Sequence, residues 1–555
     1  MNQPLSKSKG KSGAMNSNDY DAVVIGAGFG GMYALHRLRK MGLSVVCYEG
    51  AAGVGGTWWW NRYPGARVDF PSAPFYSYSF SEELIKGFDW KERQPAQEEV
   101  LSYLNYVADE LDLKRDIRLS TWIKSAVYNE SLQSWTIETG AGESVSTQFL
   151  VCAVGTLSSA NKPSIPGIDD FAGECYHTGR WPSEKVEFSG KRVGVIGTGS
   201  SGIQSIPVIA KEAAHLSVFQ RTPQYSIPAG NRPVDKQEQK EVQENWPKYK
   251  KMMEVSAMGM PYPVSERKAL DDTEEDRDAL YEELWQDGGL HMLFNAYSDL
   301  LTDEAANETL GKFVRKKIRE IVKDSDIADK LMPNYLLATK RQVIDDGYYE
   351  SFNRDNVELV DLREGAIEKI TETGVITANG EYPLDMLVLA TGFDAITGAL
   401  LNINPVGKDG VDLKSRWNEK FETYLGLTVP GFPNLFMVHG PQSPSVLFNM
   451  PYGGERGSDW IADCIGWLRD RGLGAIEPAP GVEVEWAENI DAAAKRTLFA
   501  GTDSWYSGAN IPGKHRQFIV HTDGLEYYER LRTVAEKGYE GFETEGHKES
   551  IASAG

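Results

Sequence analysis

The chain has 555 residues, of which 41% are hydrophobic and 25% are charged, and these proportions are typical of a soluble globular protein. Its formal net charge is −22. Nucleic acids and anionic membrane surfaces bind basic patches, so this charge argues against both as partners. The length predicts two to four domains with an ample core.

The composition also predicts a cytoplasmic protein without a bound metal. Residues 1–19 are rich in Lys, Ser, Gly and Asn and lack an apolar segment, which predicts a disordered tail rather than a signal peptide or anchor. No stretch approaches the ~20 apolar residues that cross a bilayer. No two cysteines form a Cys-x-x-Cys pair and none has metal-ligand spacing, as expected for a protein of a reducing compartment. The cysteines are Cys47, Cys152, Cys175 and Cys464.

Residues 20–49 have the order of strand, glycine-rich turn, helix, strand and acidic residue that dinucleotide binding requires. The glycines of the turn are Gly26, Gly28 and Gly31. They follow an apolar strand over 20–25, and a second strand over 45–48 ends at Glu49. The glycines let the backbone approach a pyrophosphate, the helix N-terminus stabilises its charge, and Glu49 would accept hydrogen bonds from ribose hydroxyls.

A second unit of the same kind follows a strand over 192–196. Its turn consists of Gly197, Thr198, Gly199, Ser200, Ser201 and Gly202. The next strand, over 216–219, leads to Arg221 and Thr222 where the first unit has its carboxylate. A carboxylate at this place selects a free 2′-hydroxyl and an arginine suits a 2′-phosphate. The first unit is therefore predicted to bind FAD and the second NADPH.

The rest of the chain fits around these two units. A helix over 98–111 and alternating strands over 122–128, 135–139 and 149–154 predict a β-meander that returns to the first sheet. A further helix is predicted around 459–468. Residues 235–335 are charged and have helical periodicity, which predicts a helical insertion that shapes access to a pocket.

The sequence therefore predicts an α/β fold with two Rossmann-like dinucleotide-binding domains, for FAD and NADPH, and a helical insertion in the NADPH domain. The predicted boundaries are 1–19 for the tail, 20–155 for the first part of the FAD domain, 156–234 for a linker and the first part of the NADPH domain, 235–335 for the insertion, 336–389 for the second part of the NADPH domain, and 390–555 for the second part of the FAD domain with substrate-pocket loops.

Four segments carry a family resemblance. Between the two turns lies Phe-x-Gly-x-x-x-His-x-x-x-Trp-Pro, a fingerprint made of Phe171, Gly173, His177, Trp181 and Pro182. The others are 55–69 (from Gly-Gly-Thr-Trp to Asp), 338–341 (Ala-Thr-Lys-Arg) and 505–514. Over roughly residues 20–545 the chain resembles the type I Baeyer–Villiger monooxygenases, which are class B flavoprotein monooxygenases, and among them the phenylacetone and steroid monooxygenase branch.

The resemblance implies NADPH- and O2-dependent oxidation of a ketone to an ester or lactone through a flavin C4a-peroxide. The expected partners are a small ketone and O2, in a monomer or small homo-oligomer. A disulfide reductase would need a redox cysteine pair, and none is present. Two alternatives remain: an N- or S-oxygenating flavin monooxygenase on the same scaffold, and a non-catalytic nucleotide-binding flavoprotein.

The resemblance also implies roles for individual residues. Arg341 is the expected catalytic arginine, because a guanidinium keeps its proton and stabilises negative charge on reacting oxygens. Asp69 would pair with and orient it, unless it is only a turn carboxylate. Lys340 and Arg221 would bracket the 2′-phosphate. Trp505 would donate a hydrogen bond to NADP or substrate, or merely pack. Further cofactor contacts are implied for Gly56, Thr57 and Trp58.

Two further expectations concern the fingerprint and the substrate loop. His177 is expected to be a hydrogen-bonded structural residue. The loop that resembles the family's substrate-pocket loop contains Val446, Leu447, Phe448 and Met450. Phe448 is bulky where related enzymes tend to have a small residue, so it would either narrow the pocket or swing out for a large apolar ketone.

Overall fold

The computed structural model describes residues 18–69 and 73–548. Residues 1–17 of the predicted tail lie outside the described residues. Within the described part, no helix combines the length and apolar character that crossing a membrane requires.

The described residues form both strands and helices, and several stretches contain consecutive elements of one kind. The strands are β1 (Tyr20–Ile25), β2 (Val45–Tyr48), β3 (Ile117–Arg118), β4 (Ile123–Asn129), β5 (Ser134–Thr139), β6 (Ser144–Cys152), β7 (Glu174–His177), β8 (Arg192–Ile196), β9 (His215–Gln220), β10 (Ser226–Pro228), β11 (Val343–Asp345), β12 (Val357–Asp361), β13 (Ile367–Thr371), β14 (Gly374–Thr377), β15 (Gly380–Pro383), β16 (Met386–Leu389), β17 (Leu435–Met437), β18 (Leu473–Pro478) and β19 (Phe542–Gly546). The α-helices are α1 (Phe29–Lys40), α2 (Thr57–Trp60), α3 (Glu82–Lys86), α4 (Gln97–Glu110), α5 (Ser200–Glu212), α6 (Lys236–Glu244), α7 (Trp246–Glu254), α8 (Glu274–Asp287), α9 (His291–Phe294), α10 (Glu304–Ile321), α11 (Ser325–Lys330), α12 (Tyr348–Ser351), α13 (Gly398–Ile403), α14 (Leu413–Arg416), α15 (Met450–Asp470), α16 (Val482–Lys495) and α17 (Gly524–Glu536).

The first sheet is built around β1. Strands β3, β2, β1 and β6 pair in parallel in that order, and β17 pairs in parallel with β6. The antiparallel β4–β5–β6 meander forms the other end of the sheet. Val23 and Val24 are fully buried, as expected of a parallel strand that is covered on both faces. In the sequence, β17 comes after every strand of the second sheet. The first sheet is therefore completed by residues that follow the second sheet.

The second sheet consists of five parallel strands in the order β12-β9-β8-β16-β7. Helix α5 follows the central strand β8 through the second glycine turn, just as α1 follows β1. The fingerprint supplies the edge strand β7, in which Tyr176 pairs with Val388 of β16.

The helical insertion lies between β10 and β11, which pair with each other in parallel. Its first two helices, α6 and α7, pack into the core of the first sheet, where Trp246 Nε1 donates to the Ser79 carbonyl at 3.1 Å. The later helices form a separate core around Tyr281 and Phe313.

These elements confirm the predicted α/β fold with two dinucleotide-type units, a β-meander and a helical insertion. The helix expected over 98–111 is α4. The helix expected around 459–468 is α15, which begins earlier, at Met450. Asn449 caps it by accepting from the Tyr452 amide, and Pro451 is tolerated because the first turn of a helix needs no donor there.

Candidate functional site

The first glycine turn is tightly enclosed. A Cβ on Gly31 would lie 1.8 Å from the Gly26 carbonyl oxygen, so only glycine lets α1 pack this close to β1. Gly28 faces Gly56, since a Cβ on Gly56 would lie 2.9 Å from the Gly28 Cα. The segment that begins α2 therefore covers the turn. Gly56 lies against Gly28, and Thr57 follows it as the first residue of α2.

Glu49 is buried at the end of β2. Its Oε2 accepts from the Ala27 amide at 2.7 Å and its Oε1 accepts from the Ala51 amide at 2.8 Å. Burial raises the pKa of Glu49, and these amide hydrogen bonds act in the opposite direction. The carboxylate thus holds the turn and the following loop, and each oxygen keeps lone pairs for a ribose hydroxyl.

Trp58 is partly buried beside the covered turn. Its Nε1 donates to the Tyr76 hydroxyl at 3.2 Å. The next two tryptophans have cationic neighbours, with Arg62 4.3 Å from the Trp59 ring and Arg180 4.7 Å from the Trp60 ring. Through Trp60 and Arg180, helix α2 therefore contacts the fingerprint segment.

The second glycine turn repeats the first but stays open. A Cβ on Gly202 would lie 2.2 Å from the Gly197 carbonyl oxygen, whereas a Cβ on Gly199 would meet nothing within 4 Å. Thr198 Oγ1 donates to the Thr222 carbonyl at 3.0 Å, which ties the turn to the end of β9. The free space at Gly199, at the N-terminus of α5, fits a pyrophosphate. Ser200 and Ser201 begin that helix.

Arg221 and Lys340 lie close together beside the open turn. Arg221 is exposed, and Lys340 is partly buried with its Nζ 5.2 Å from the Tyr335 ring. Burial, together with the charge of Arg221, lowers the pKa of Lys340. Asp503 acts in the opposite direction, and a phosphate between the two cations would relieve their repulsion further, so the pair fits a 2′-phosphate.

In the sequence, the fingerprint lies between the two turns, and it contains β7. His177 Nδ1 accepts from the Gly179 amide at 2.9 Å, and its Nε2 lies 3.3 Å from both the Asn161 carbonyl oxygen and Thr391 Oγ1. Burial lowers the pKa of His177, so the ring is neutral at pH 7. Both ring nitrogens of His177 therefore have partners within the protein.

The other fingerprint residues pack around β7. Trp181 is buried against the Tyr176 ring at 5.3 Å and lies in the core of the second sheet with Pro182 following it. A Cβ on Gly173 would lie 2.5 Å from the Asp385 carbonyl oxygen and 2.7 Å from the Phe171 ring. These residues therefore form the edge of the second sheet.

Arg341 and Asp69 form a bidentate ion pair, although they are 272 residues apart in sequence. Arg341 Nη2 donates to Asp69 Oδ1 at 2.9 Å and Nε donates to Oδ2 at 3.1 Å. Nη1 donates to the Val446 carbonyl at 2.8 Å. The guanidinium is thus oriented by one carboxylate and one main-chain carbonyl, in the planar fork geometry that arginine favours.

The guanidinium of Arg341 stays protonated. Burial works to lower the pKa of Arg341, but the Asp69 carboxylate and Tyr506 more than offset it, so that its pKa lies above the usual value. The side chain is 21% exposed, so water still reaches part of it. The guanidinium therefore stays positive at every pH at which the protein is folded.

Arg341 borders a narrow cavity whose other walls are largely apolar. The insertion, the loop before α15 and the C-terminal part all contribute to it. Its apolar lining is Met258, Leu290, Leu293, Phe294, Leu301, Ala338, Leu447 and Phe499. Gln342 and Tyr506 supply the remaining polar groups.

Tyr506 is a site residue that the sequence did not reveal. It is buried, borders the same cavity, and interacts electrostatically with Arg341. Burial raises the pKa of Tyr506, so its hydroxyl stays protonated at neutral pH. The neighbouring Trp505, which the family resemblance implies instead, is only partly buried, and its ring lies 4.5 Å from the Tyr506 ring.

Phe448 points away from this cavity. Its ring is 1% exposed and lies between Gly259 and Gly524, where a Cβ would come within 2.6 Å of it. Of the four residues expected in the substrate loop, only Leu447 lines the cavity. Val446 accepts a hydrogen bond from Arg341 through its carbonyl, and Phe448 and Met450 do not line the cavity. Phe448 therefore leaves the width of the cavity unchanged.

Among the described residues there is no group of three or more His, Cys, Asp or Glu side chains that could hold a metal ion. The four cysteines are all free.

Comparisons with known proteins agree with this geometry. The pyridine nucleotide-disulphide oxidoreductase family profile matches residues 20–257, which include both glycine turns. A Baeyer–Villiger monooxygenase of Pseudooceanicola batsensis is 42% identical over 94% of this chain and 95% of that protein. The chain belongs to the Baeyer–Villiger monooxygenases.

The chain is also similar to a steroid monooxygenase and to an N-monooxygenase. The solved structure of an oxidised steroid monooxygenase bound to NADP is 48% identical, with a TM-score of 0.90, and covers 95% of this chain and 99% of that one. Phenazine N-monooxygenase of Lysobacter antibioticus is 42% identical over 94% of this chain and 96% of that protein. The Baeyer–Villiger monooxygenase uses FAD and NADPH to oxidise ketones, and its covered turn, buried Glu49 and open turn fit those two dinucleotides.

Proposed function

We propose that Arg341, held by Asp69 and the Val446 carbonyl, is the catalytic cation of this enzyme and that the ketone binds in the adjacent apolar cavity. The observation that carries the proposal is the bidentate ion pair at the border of that cavity. A fixed positive charge stabilises the negative charge that develops on the ketone oxygen, and a preoriented guanidinium needs no reorganisation to do so. Asp69 keeps the guanidinium in place and moderates its charge.

Each nucleotide is assigned to one turn. FAD would be held by Gly26, Gly28, Gly31, Glu49, Gly56, Thr57 and Trp58. NADPH would be held by the 197–202 turn, with Arg221, Thr222 and Lys340 at the 2′-phosphate and Trp505 near the nicotinamide half. Bound NADPH supplies hydride, and reduced FAD activates O2.

The preferred substrate is an apolar ketone whose carbonyl is its main polar group. Seven of the cavity residues are Leu, Met or Phe, and of the polar ones Tyr506 interacts with Arg341. Burying a second polar group against the apolar walls would cost about 1–3 kcal/mol without a partner. Tyr506, with its hydroxyl protonated beside Arg341, is placed to donate a second hydrogen bond to the ketone oxygen.

Product analysis tests this function. The holoenzyme is supplied with NADPH, O2 and a panel of small, cyclic, aryl and steroid ketones, and ester or lactone is quantified against NADPH consumed. We expect ester from at least one apolar ketone in amounts close to the NADPH used. Hydrogen peroxide as the sole product with every ketone would contradict the proposal.

A second candidate is N-oxygenation, because the phenazine N-monooxygenase is as similar to this chain as the Baeyer–Villiger relative. An aromatic N-heterocycle included in the same panel separates the two. N-oxide formation that exceeds ester formation from every ketone would favour this second candidate. Sulfoxidation does not distinguish them, since both kinds of enzyme oxidise thioethers.

We also propose the domain division 20–155 and 390–555 for FAD, 156–234 and 336–389 for NADPH, and 235–335 for the insertion. The pairing of β17 with β6 and of β16 with β8 supports it. A cytoplasmic monomer or small homo-oligomer that binds no nucleic acid is proposed from the net charge and the unpaired thiols. Sedimentation of the purified holoenzyme tests the oligomeric state.

A further inference from the structure

Two parts of the molecule that bind different nucleotides meet at Gln204. This residue lies on α5, two positions after the last glycine of the open turn, and is 7% exposed. The Tyr63 hydroxyl donates to its Oε1 at 2.9 Å, and its Nε2 donates to the Arg67 carbonyl at 3.3 Å. Both partners belong to the 63–69 segment, which ends at Asp69.

The segment approaches α5 with its backbone as well. A Cβ on Gly65 would lie 2.2 Å from the Gln204 carbonyl oxygen, and Gly65 has φ +81°, a conformation that favours glycine. Tyr63 packs against the core of the second sheet. Tyr63 is therefore anchored in the core of the second sheet. Gly65 allows the 63–69 segment to contact the backbone of α5 directly.

The 63–69 segment is in turn fixed to the first half. The Val68 amide donates to the Pro95 carbonyl at 3.0 Å, and the Gln97 amide donates to the Ala66 carbonyl at 3.0 Å. Gln204 thus connects α5, which begins at the open turn, to a segment that main-chain hydrogen bonds attach to residues 95–97 of the proposed FAD domain. Arg67, the residue whose carbonyl it holds, is two positions before Asp69.

We propose that Gln204 is a positioning residue, which together with Tyr63 and Gly65 sets the orientation of the NADPH-binding helix relative to the flavin half and to Asp69. Hydride transfer requires the two rings to approach in one geometry, and this contact is a direct link between the elements that carry them. The inference rests on the proposed function for the assignment of NADPH to α5. Its test does not depend on the catalytic role of Arg341.

The test compares Gln204→Leu, which keeps the volume but removes both hydrogen bonds, with Tyr63→Phe, which removes one. Gln237→Leu on the exposed face of α6 is the matched control for the substitution itself. Three quantities are measured on each holoenzyme: the rate of flavin reduction at saturating NADPH, the Kd for NADP+, and hydrogen exchange of the 63–68 amides without nucleotide.

We expect Gln204→Leu to reduce flavin at least about tenfold more slowly, because a misplacement of 1 Å can cost about a hundredfold in rate. The Kd for NADP+ should stay within about threefold of the wild type, since the phosphate contacts are intact. Exchange of the 63–68 amides should be faster, Tyr63→Phe should show a smaller effect of the same kind, and Gln237→Leu should match the wild type.

Two results would overturn the proposal. One is flavin reduction and amide exchange at wild-type rates in both variants. The other is a parallel loss of flavin reduction, NADP+ affinity and Tm in Gln204→Leu, because that pattern indicates a general structural role rather than positioning. Failure of the proposed function itself would show instead as normal flavin reduction without ester in the wild type.

Discussion

The two glycine turns follow one plan but differ in what surrounds them. The first is covered: Gly28 faces Gly56, Gly30 contacts Val438, and the buried Glu49 closes the end of β2. The second is open, with nothing within 4 Å of a Cβ at Gly199 and an exposed Arg221 at the end of β9. A covered turn suits a cofactor that stays bound, whereas an open turn suits one that enters and leaves in each cycle.

The difference shows that the nucleotide-binding plan and its accessibility are set by different parts of the chain. The turn and the following helix are local, within about a dozen residues. The cover of the first turn comes from Gly56 and from Val438, which directly follows β17 and is more than 400 residues downstream of Gly26. A change at the tightly packed Gly31 of the first turn and a change at the open Gly199 of the second turn should therefore have different consequences.

The largest effect is expected from Gly31→Ala. Its Cβ would lie 1.8 Å from the Gly26 carbonyl oxygen, so α1 cannot stay in place on β1. We expect purified protein with less than about a tenth of the wild-type FAD content, since overpacking of this kind costs about 1–3 kcal/mol or more. The flavin-to-protein absorbance ratio measures the FAD content. Full flavin occupancy would contradict the claim that FAD binding requires the tight packing of the first turn.

Gly199→Ala should act only on the second nucleotide. The added methyl group meets no protein atom, but it occupies the space in which a pyrophosphate approaches the backbone. We expect unchanged FAD content and Tm, with the KM for NADPH raised at least about tenfold, which corresponds to about 1.4 kcal/mol. Steady-state kinetics measure it; an unchanged KM would show that the open turn does not bind NADPH.

Arg221→Gln tests why the two strand ends differ. Loss of the cation at the 2′-phosphate should lower kcat/KM for NADPH by about tenfold, because charge-assisted bonds contribute about 1.5–3 kcal/mol. The value for NADH should hardly change, since it has no 2′-phosphate. The ratio of the two is the measurement, and an equal loss with both nucleotides would contradict a 2′-phosphate role.

The smallest effect concerns the stability of the covered half. Glu455 of α15 is buried and accepts from Ser79 Oγ at 2.6 Å; burial raises its pKa to about 8, although these hydrogen bonds act against the shift. Because the folded pKa is raised, the native state holds a proton that the unfolded state releases, and stability falls as pH rises from about 4.5 to about 8.

Glu455→Gln should remove this dependence. Its Tm at pH 8 should exceed that of the wild type by several degrees, since one pKa unit corresponds to about 1.4 kcal/mol and, with an unfolding entropy of about 2.1 cal/mol/K per residue, 1 kcal/mol shifts the Tm of a chain of this length by about 1 °C. At pH 5 the two should nearly coincide. Thermal unfolding followed by flavin release gives both values, and parallel Tm curves across this pH range would show that Glu455 does not titrate there.

The sequence predicted most of what is local. Both turns, the contrast between Glu49 and Arg221, and the strands around them follow from patterns within about 30 residues. The start of α15 was missed because Pro451 and the glycines at 453, 454 and 457 disfavour a helix by propensity, while burial against α1 stabilises it.

Contacts between distant segments required the structure. The sequence contains no local signal that Nη1 of Arg341 donates to the Val446 carbonyl, that Tyr506 rather than Trp505 lies beside Arg341, or that Phe448 fits between two glycines. Main-chain partners and side-chain directions depend on how segments far apart pack, and neither composition nor periodicity records them. Resemblance named Arg341 and Asp69; the geometry shows how they are held.

The central claim is that the guanidinium of Arg341, fixed by Asp69 at the border of an apolar cavity, carries the oxygenation step and not the reduction of flavin. The direct test measures ester formed per NADPH and the rate of flavin reduction in Arg341→Ala, with Arg341→Lys as the variant that keeps charge but loses the bidentate geometry. The account predicts flavin reduction within a few-fold of wild type, and ester formation lower by about 10²–10³-fold in Arg341→Ala, as for loss of a preorganised oxyanion donor. Ester produced by Arg341→Ala at the wild-type rate would contradict it.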